Sequence, residues 1–66
     1  MNIILNGEER ALDNVKTLTG LVESLGLDVR KVAVERNLEI VPRSAYGATN
    51  LTDGDRIEIV HFIGGG

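Results

Sequence analysis

Only one stretch of this chain repeats its apolar residues with the period of a helix, and the stretches on either side of it repeat with the period of a strand. In "KTLTGLVESLGLD", Leu18, Leu21, Val22 and Leu25 stand at i, i+3, i+4 and i+7, so four side chains share one helical face. Thr17 offers a hydroxyl for an N-cap, and Gly26 suits the left-handed turn that ends a helix. Before this segment, "MNIIL" puts Met1, Ile3 and Leu5 on one face of a strand. Asn6-Gly7 then signals a tight hairpin, and the return strand runs from Glu8 to Leu12 until Asp13-Asn14 breaks it. After the helical segment, "VAVERN" turns Val32 and Val34 inward, and "LEIV" makes a short partner strand closed by Pro42. Residues 43–50 have no clear period, although Ser44-Ala45-Tyr46 suits a short helical turn, and Asp53-Gly54-Asp55 signals a reverse turn. "RIEIVHF" is the last strand, with Ile57 and Ile59 inward and Glu58 and Val60 outward.

One helix can bury only one face of a sheet. The first and last strands have the richest apolar faces, which places them at the centre of the sheet. The connection between them is long enough to let them run parallel there. The pattern predicts an α+β fold, a mixed sheet of four to five strands with one helix packed on one face. Two positions sit awkwardly in it. Gly20 falls inside the helix, where it costs about 1 kcal/mol against alanine, so either packing overrides that cost or a close neighbour demands it. Asn37-Leu38 stands at the second hairpin, where leucine disfavours positive φ, so that turn is expected to be longer or of another type.

Size and composition bound the chemistry. A 66-residue chain makes one domain and buries only about 60% of the surface its unfolded form exposes. A ligand pocket of roughly 300 Å³ or more would hollow out most of such a core, which disfavours a self-contained enzyme. The absence of cysteine excludes disulfides, thiolate metal sites and thiol chemistry, and it favours a cytoplasmic location. No apolar run is long enough for a signal peptide or a membrane span. Ten acidic against seven basic residues, the latter scattered, with one tyrosine and one phenylalanine, offer no platform for nucleic acid.

Few side chains suggest a site. His61 is the only histidine and has no companion ligands. Glu8-Glu9 and the pair Asp53 and Asp55 fall in turns and read as solvated charge and turn chemistry, not as an acid–base couple. Ser24 and Ser44 have no base beside them, and Gly7, Gly20 and Gly26 lack the spacing of a phosphate loop. What stands out is "VHFIGGG", where a core strand runs without a linker into Gly64, Gly65 and Gly66. A glycine run of three extended residues reaches roughly 10 Å and fits a narrow channel on another protein. A carboxylate on Gly66 would then arrive at a foreign active site, where ATP could activate it for acyl transfer.

The tail, the turn "DGDRIEIV" and the block "VAVERNLEIVPRS" together resemble the ThiS family of thiamine-biosynthesis sulfur carriers, over nearly the whole chain. The resemblance implies a ubiquitin-like β-grasp over residues 1–63 and a flexible tail over 64–66. It also implies a protein cosubstrate that is not itself an enzyme. A ThiF-type adenylating enzyme would use ATP and magnesium to activate Gly66. A cysteine persulfide would replace AMP to give a thiocarboxylate, and a ThiG-type thiazole synthase would take up the sulfur. Gly65 is the motif partner of Gly66, Gly64 adds reach, and no cofactor or metal is bound by the chain itself. Val60, Phe62 and Ile63 would form a docking patch just before the tail; Val60 and Phe62 fall on the outward sheet face. Three alternatives stay open on the residues alone: a carrier subunit of the molybdopterin-synthase type, a ubiquitin-like modifier joined to lysines, and a β-grasp binding module with an inert tail. No nucleic acid or membrane partner is expected.

Overall fold

The computed structural model describes residues 1–62. Five strands form one sheet: β1 (Asn2–Leu5), β2 (Glu8–Ala11), β3 (Val32–Arg36), β4 (Glu39–Val41) and β5 (Arg56–His61). One α-helix, α1 (Leu18–Ser24), follows the first hairpin, and 3-10 turns occupy Val29–Lys31 and Arg43–Ala48. The spatial order is β2-β1-β5-β3-β4, with β1 and β5 parallel and every other pair antiparallel.

The core lies between α1 and one sheet face. Ile3 and Leu5 of β1, Val32 and Val34 of β3, and Ile57 and Ile59 of β5 meet Leu18, Leu21 and Val22 of α1. A helix of seven residues is too short to persist alone in water. Burying Leu18, Leu21 and Val22 completely contributes on the order of 1.5–3 kcal/mol per side chain, which exceeds what helix propensity supplies. Its ends are also tied. Thr17 Oγ1 accepts from the Gly20 N–H at 3.1 Å. At the other end, Gly26 at φ +75° donates to the Glu23 carbonyl and Leu27 to that of Val22, the paired bonds of a glycine-terminated helix.

Of the two explanations offered for Gly20, packing holds, through the buried face of α1, and the close neighbour does not. A methyl group there would meet Thr17 Oγ1 at 3.5 Å and Val15 Cγ1 at 3.7 Å, which is ordinary contact. The segment after Pro42 is more ordered than its lack of period suggests. Six residues wind as a 3-10 turn, and Tyr46 swings into the core with its hydroxyl donating to the Val32 carbonyl at 3.3 Å.

The two hairpins share one backbone. Asn6 and Gly7 have φ of +50° and +83°, and Asn37 and Leu38 have +53° and +71°. Positive φ at both central residues is the type I′ turn that suits strand twist. The second hairpin is therefore not longer or of another type, contrary to the expectation from its sequence. The pairing of Arg36 with Glu39 leaves two residues between the strands, and the sheet holds Leu38 in the left-handed region. A non-glycine residue there costs about 1–2 kcal/mol, and Leu38 is 76% exposed, so its side chain recovers little by burial. Leu38→Gly is expected to raise stability by roughly 0.5–1 kcal/mol, the relief of strain less the extra chain entropy of glycine. Urea unfolding checks it: a midpoint at or below that of the wild type means the turn carries no strain.

Candidate functional site

The interest of the fold lies at the end of β5, because residues 63–66 continue from there. β5 is the central strand, and each of its neighbours holds a different part of it. β1 pairs with it at Ile4–Arg56 and Leu5–Ile57 and then turns away. Where the backbone of β1 leaves, the side chain of Asn6 takes over. Its Oδ1 accepts from the Ile59 N–H at 2.8 Å and its Nδ2 donates to the Ile59 carbonyl at 3.3 Å. On the other side β3 pairs with β5 from Ile57 through His61, and the Phe62 N–H donates to the Lys31 carbonyl at 2.7 Å. The strand is therefore held on both sides as far as Ile59 and on one side to Phe62.

Alternation along β5 then sorts its side chains. Ile57 and Ile59 point into the core, while Glu58, Val60 and Phe62 point to the face that carries no helix. Val60 is 60% and Phe62 44% exposed. Val60 lies opposite Ala33, and one row away Ile40 of β4, Glu35 of β3 and Glu58 follow each other across the sheet. The open face thus carries exposed apolar side chains beside carboxylates. Ile63, Gly64, Gly65 and Gly66, all expected to act at the site, lie outside the described residues.

Among the described residues, the side chains at the strand end do not make a metal or acid–base cluster. His61 is exposed, and among the described residues no group of histidine, cysteine or acidic side chains is placed to hold a metal ion. A shallow hollow of about 320 Å³ lies at the far end of β5, lined by Asn37, Leu38, Gly54 and Arg56. No helix among the described residues is long and apolar enough to cross a membrane.

One polar residue differs from its expected role. Asp55 is not solvated turn charge; it is 6% exposed. Its carboxylate accepts from Arg36 Nε at 2.9 Å, Asn37 Nδ2 at 3.0 Å and the Thr52 N–H at 2.8 Å. Burial pushes its carboxyl up, but the bonds from Asn37, Thr52 and Arg36 together outweigh burial and hold it below the ordinary carboxylate range. Its role is structural. It ties the 52–55 turn, which leads into β5, to the β3–β4 hairpin. No local signal could have singled it out from Asp53, because Arg36 and Asn37 are distant in sequence.

The ThiS family model matches residues 3–66, which takes in this sheet, the strand end and the glycines after it. The chain belongs to the ThiS family. The sulfur carrier protein ThiS of Bacillus subtilis is 43% identical over 63 residues, covering 94% of this chain and 96% of that protein. A solved ThiS structure from Geobacter metallireducens superposes with a TM-score of 0.83 at 36% identity, over 100% of both chains. The fold is accordingly the ubiquitin-like β-grasp, with five strands. A thiazole synthase of Paramagnetospirillum magneticum is 56% identical over 66 residues, all of this chain but 20% of that protein. This ThiS-family chain therefore spans about a fifth of that relative's length.

Proposed function

We propose that the protein is a sulfur carrier for the thiazole ring of thiamine, and that the carboxylate of Gly66 is the atom group that carries the sulfur. The observation behind this reading is a family match that runs unbroken from the first strand through the terminal glycines. The fold supports it, because β5 is hydrogen-bonded as far as Phe62. Four residues follow Phe62 in the sequence, a span of at most about 14 Å when extended, and in this reading they enter another protein. The relative named thiazole synthase, with a segment like this chain inside a longer one, supports thiazole synthase as the receiver of the sulfur.

The chemistry follows from the weakness of a carboxylate as an electrophile. Its oxygen attacks the α-phosphorus of ATP on a ThiF-type enzyme, with magnesium supplied there, and pyrophosphate leaves. The terminal sulfur of a cysteine persulfide attacks the acyl-adenylate carbon and AMP leaves. A thiol then cleaves the remaining S–S bond and frees the thiocarboxylate. A chain without cysteine has no thiol on which to hold sulfur, and the thiocarboxylate meets that need. The folded body contributes position. Docking converts an encounter between two free proteins into a step between fixed partners, which is worth many orders of magnitude in effective concentration. Val60 and Phe62 on the open face, with Ile63 next in the sequence, are the apolar residues proposed for that docking.

Intact mass after incubation with ATP, the adenylating enzyme and a sulfur source tests the reading. The expected product is about 16 Da heavier, one oxygen replaced by sulfur. Larger adducts on lysines would mark a protein modifier instead. Phe62→Asp is expected to keep the fold, since Phe62 lies outside the core, and to slow product formation at least tenfold. Formation at the wild-type rate would remove Phe62 from the docking surface.

A further inference from the structure

The charge of this acidic chain is not spread evenly, and three of its basic residues lie near Phe62, where β5 ends. Arg30 and Lys31 lie in the 3-10 turn before β3, and Arg43 opens the one after β4. Arg43 Nη2 donates to the Arg30 carbonyl at 3.1 Å, and the next carbonyl along, that of Lys31, accepts the Phe62 N–H at 2.7 Å. Three of the seven basic residues thus lie on the β3 side of the end of β5, and all three are exposed. Asp28 is hydrogen-bonded to Arg30 through both carboxylate oxygens, at 3.1 and 2.8 Å, and offsets one of the charges. The open face beside them instead carries Glu35 and Glu58. A surface of this kind has a cationic end, and the tail leaves from that end.

Resting on the sulfur-carrier reading above, we infer that Arg30, Lys31 and Arg43 form a docking collar for an acidic rim around the channel that receives the tail on the adenylating enzyme. Reach decides what the collar can touch. An extended tail would carry the reacting carboxylate up to about 14 Å beyond Phe62, which is farther than a lysine or arginine side chain extends. The collar therefore does not contact the phosphates of ATP; it meets the protein surface at the channel mouth. Charges at an interface rim raise the rate of encounter and set orientation more than they strengthen the final complex. Oriented arrival matters here, because a narrow channel accepts the glycines from one direction only.

The test measures adenylation of the full chain by the purified adenylating enzyme across ionic strength. Between about 0.01 and 1 M salt the Debye length falls from ~30 to ~3 Å. Lys31→Glu is expected to raise KM about tenfold at the low end with kcat unchanged, and the difference is expected to vanish at the high end. Arg43→Gln raises KM in the same way, whereas Arg43→Lys, which keeps the charge, stays near wild type. Lys16→Glu, a reversal before α1 and away from the strand end, is the control and changes KM little. Melting temperatures of all four match wild type. Equal KM for Lys31→Glu and Lys16→Glu, or an unchanged salt dependence in Arg43→Gln, overturns the collar and leaves the carrier reading standing. Failure of the wild-type chain to accept AMP at all overturns both.

Discussion

A chain that lacks Gly65 and Gly66 is expected to melt like the full protein and to form no thiocarboxylate. Among the described residues the core is built between Ile3 and Ile59, and the shortened chain keeps all of them. The shortened chain still ends in glycine and still has a carboxylate, now on Gly64. That carboxylate stops about 7 Å short of its former reach. A misplacement of about 1 Å can already lower a rate by about a hundredfold, so a shortfall of this size takes the reaction below detection. Intact mass and growth without thiamine both read the result. Growth of a strain whose only copy is shortened would place the sulfur somewhere other than the terminal carboxylate.

Asp55→Ala is expected to lower stability by about 2–3 kcal/mol, the scale of removing a buried acceptor with charged and backbone partners. Arg36 Nε, Asn37 Nδ2 and the Thr52 N–H all lose their acceptor at once. A domain this small has only a few kcal/mol in hand, so the melting temperature falls by roughly 10–20 °C. The acid limb of the stability curve gives a second reading. The carboxyl of Asp55 is held below its ordinary range in the folded state. Its contribution is therefore complete above about pH 4, the ordinary aspartate value. That contribution is lost as pH falls through the lower folded value. Asp55→Asn removes the titrating group, and its urea midpoint is expected to fall less between neutral pH and pH 3 than that of wild type. An equally steep fall in both would assign the acid sensitivity to other carboxylates.

Much of the architecture can be read along the chain because it is written in local terms. The 3.6 period of Leu18, Leu21 and Val22 and the alternation of Ile57 and Ile59 depend only on which neighbours share a face, and the structure buries those residues. Asn6-Gly7 encodes its turn in two residues, because glycine takes positive φ without strain. The glycines proposed to carry the chemistry are equally plain in the sequence, since their meaning comes from order along the chain. The family match extends over them for the same reason.

What the tertiary structure alone decided concerns residues brought together from afar. Leu38 holds a glycine's conformation because the pairing of Arg36 with Glu39 enforces it, against the preference of its own side chain. Asn6 completes the edge of a strand more than fifty residues away. Asp55, unlike Asp53 two residues before it, is buried with Arg36. Arg30 and Lys31 are neighbours in the chain, and Arg43 joins them only when the sheet closes. Local preferences are additive and readable; the fate of a charge or an amide depends on the dielectric and the partners that folding places around it.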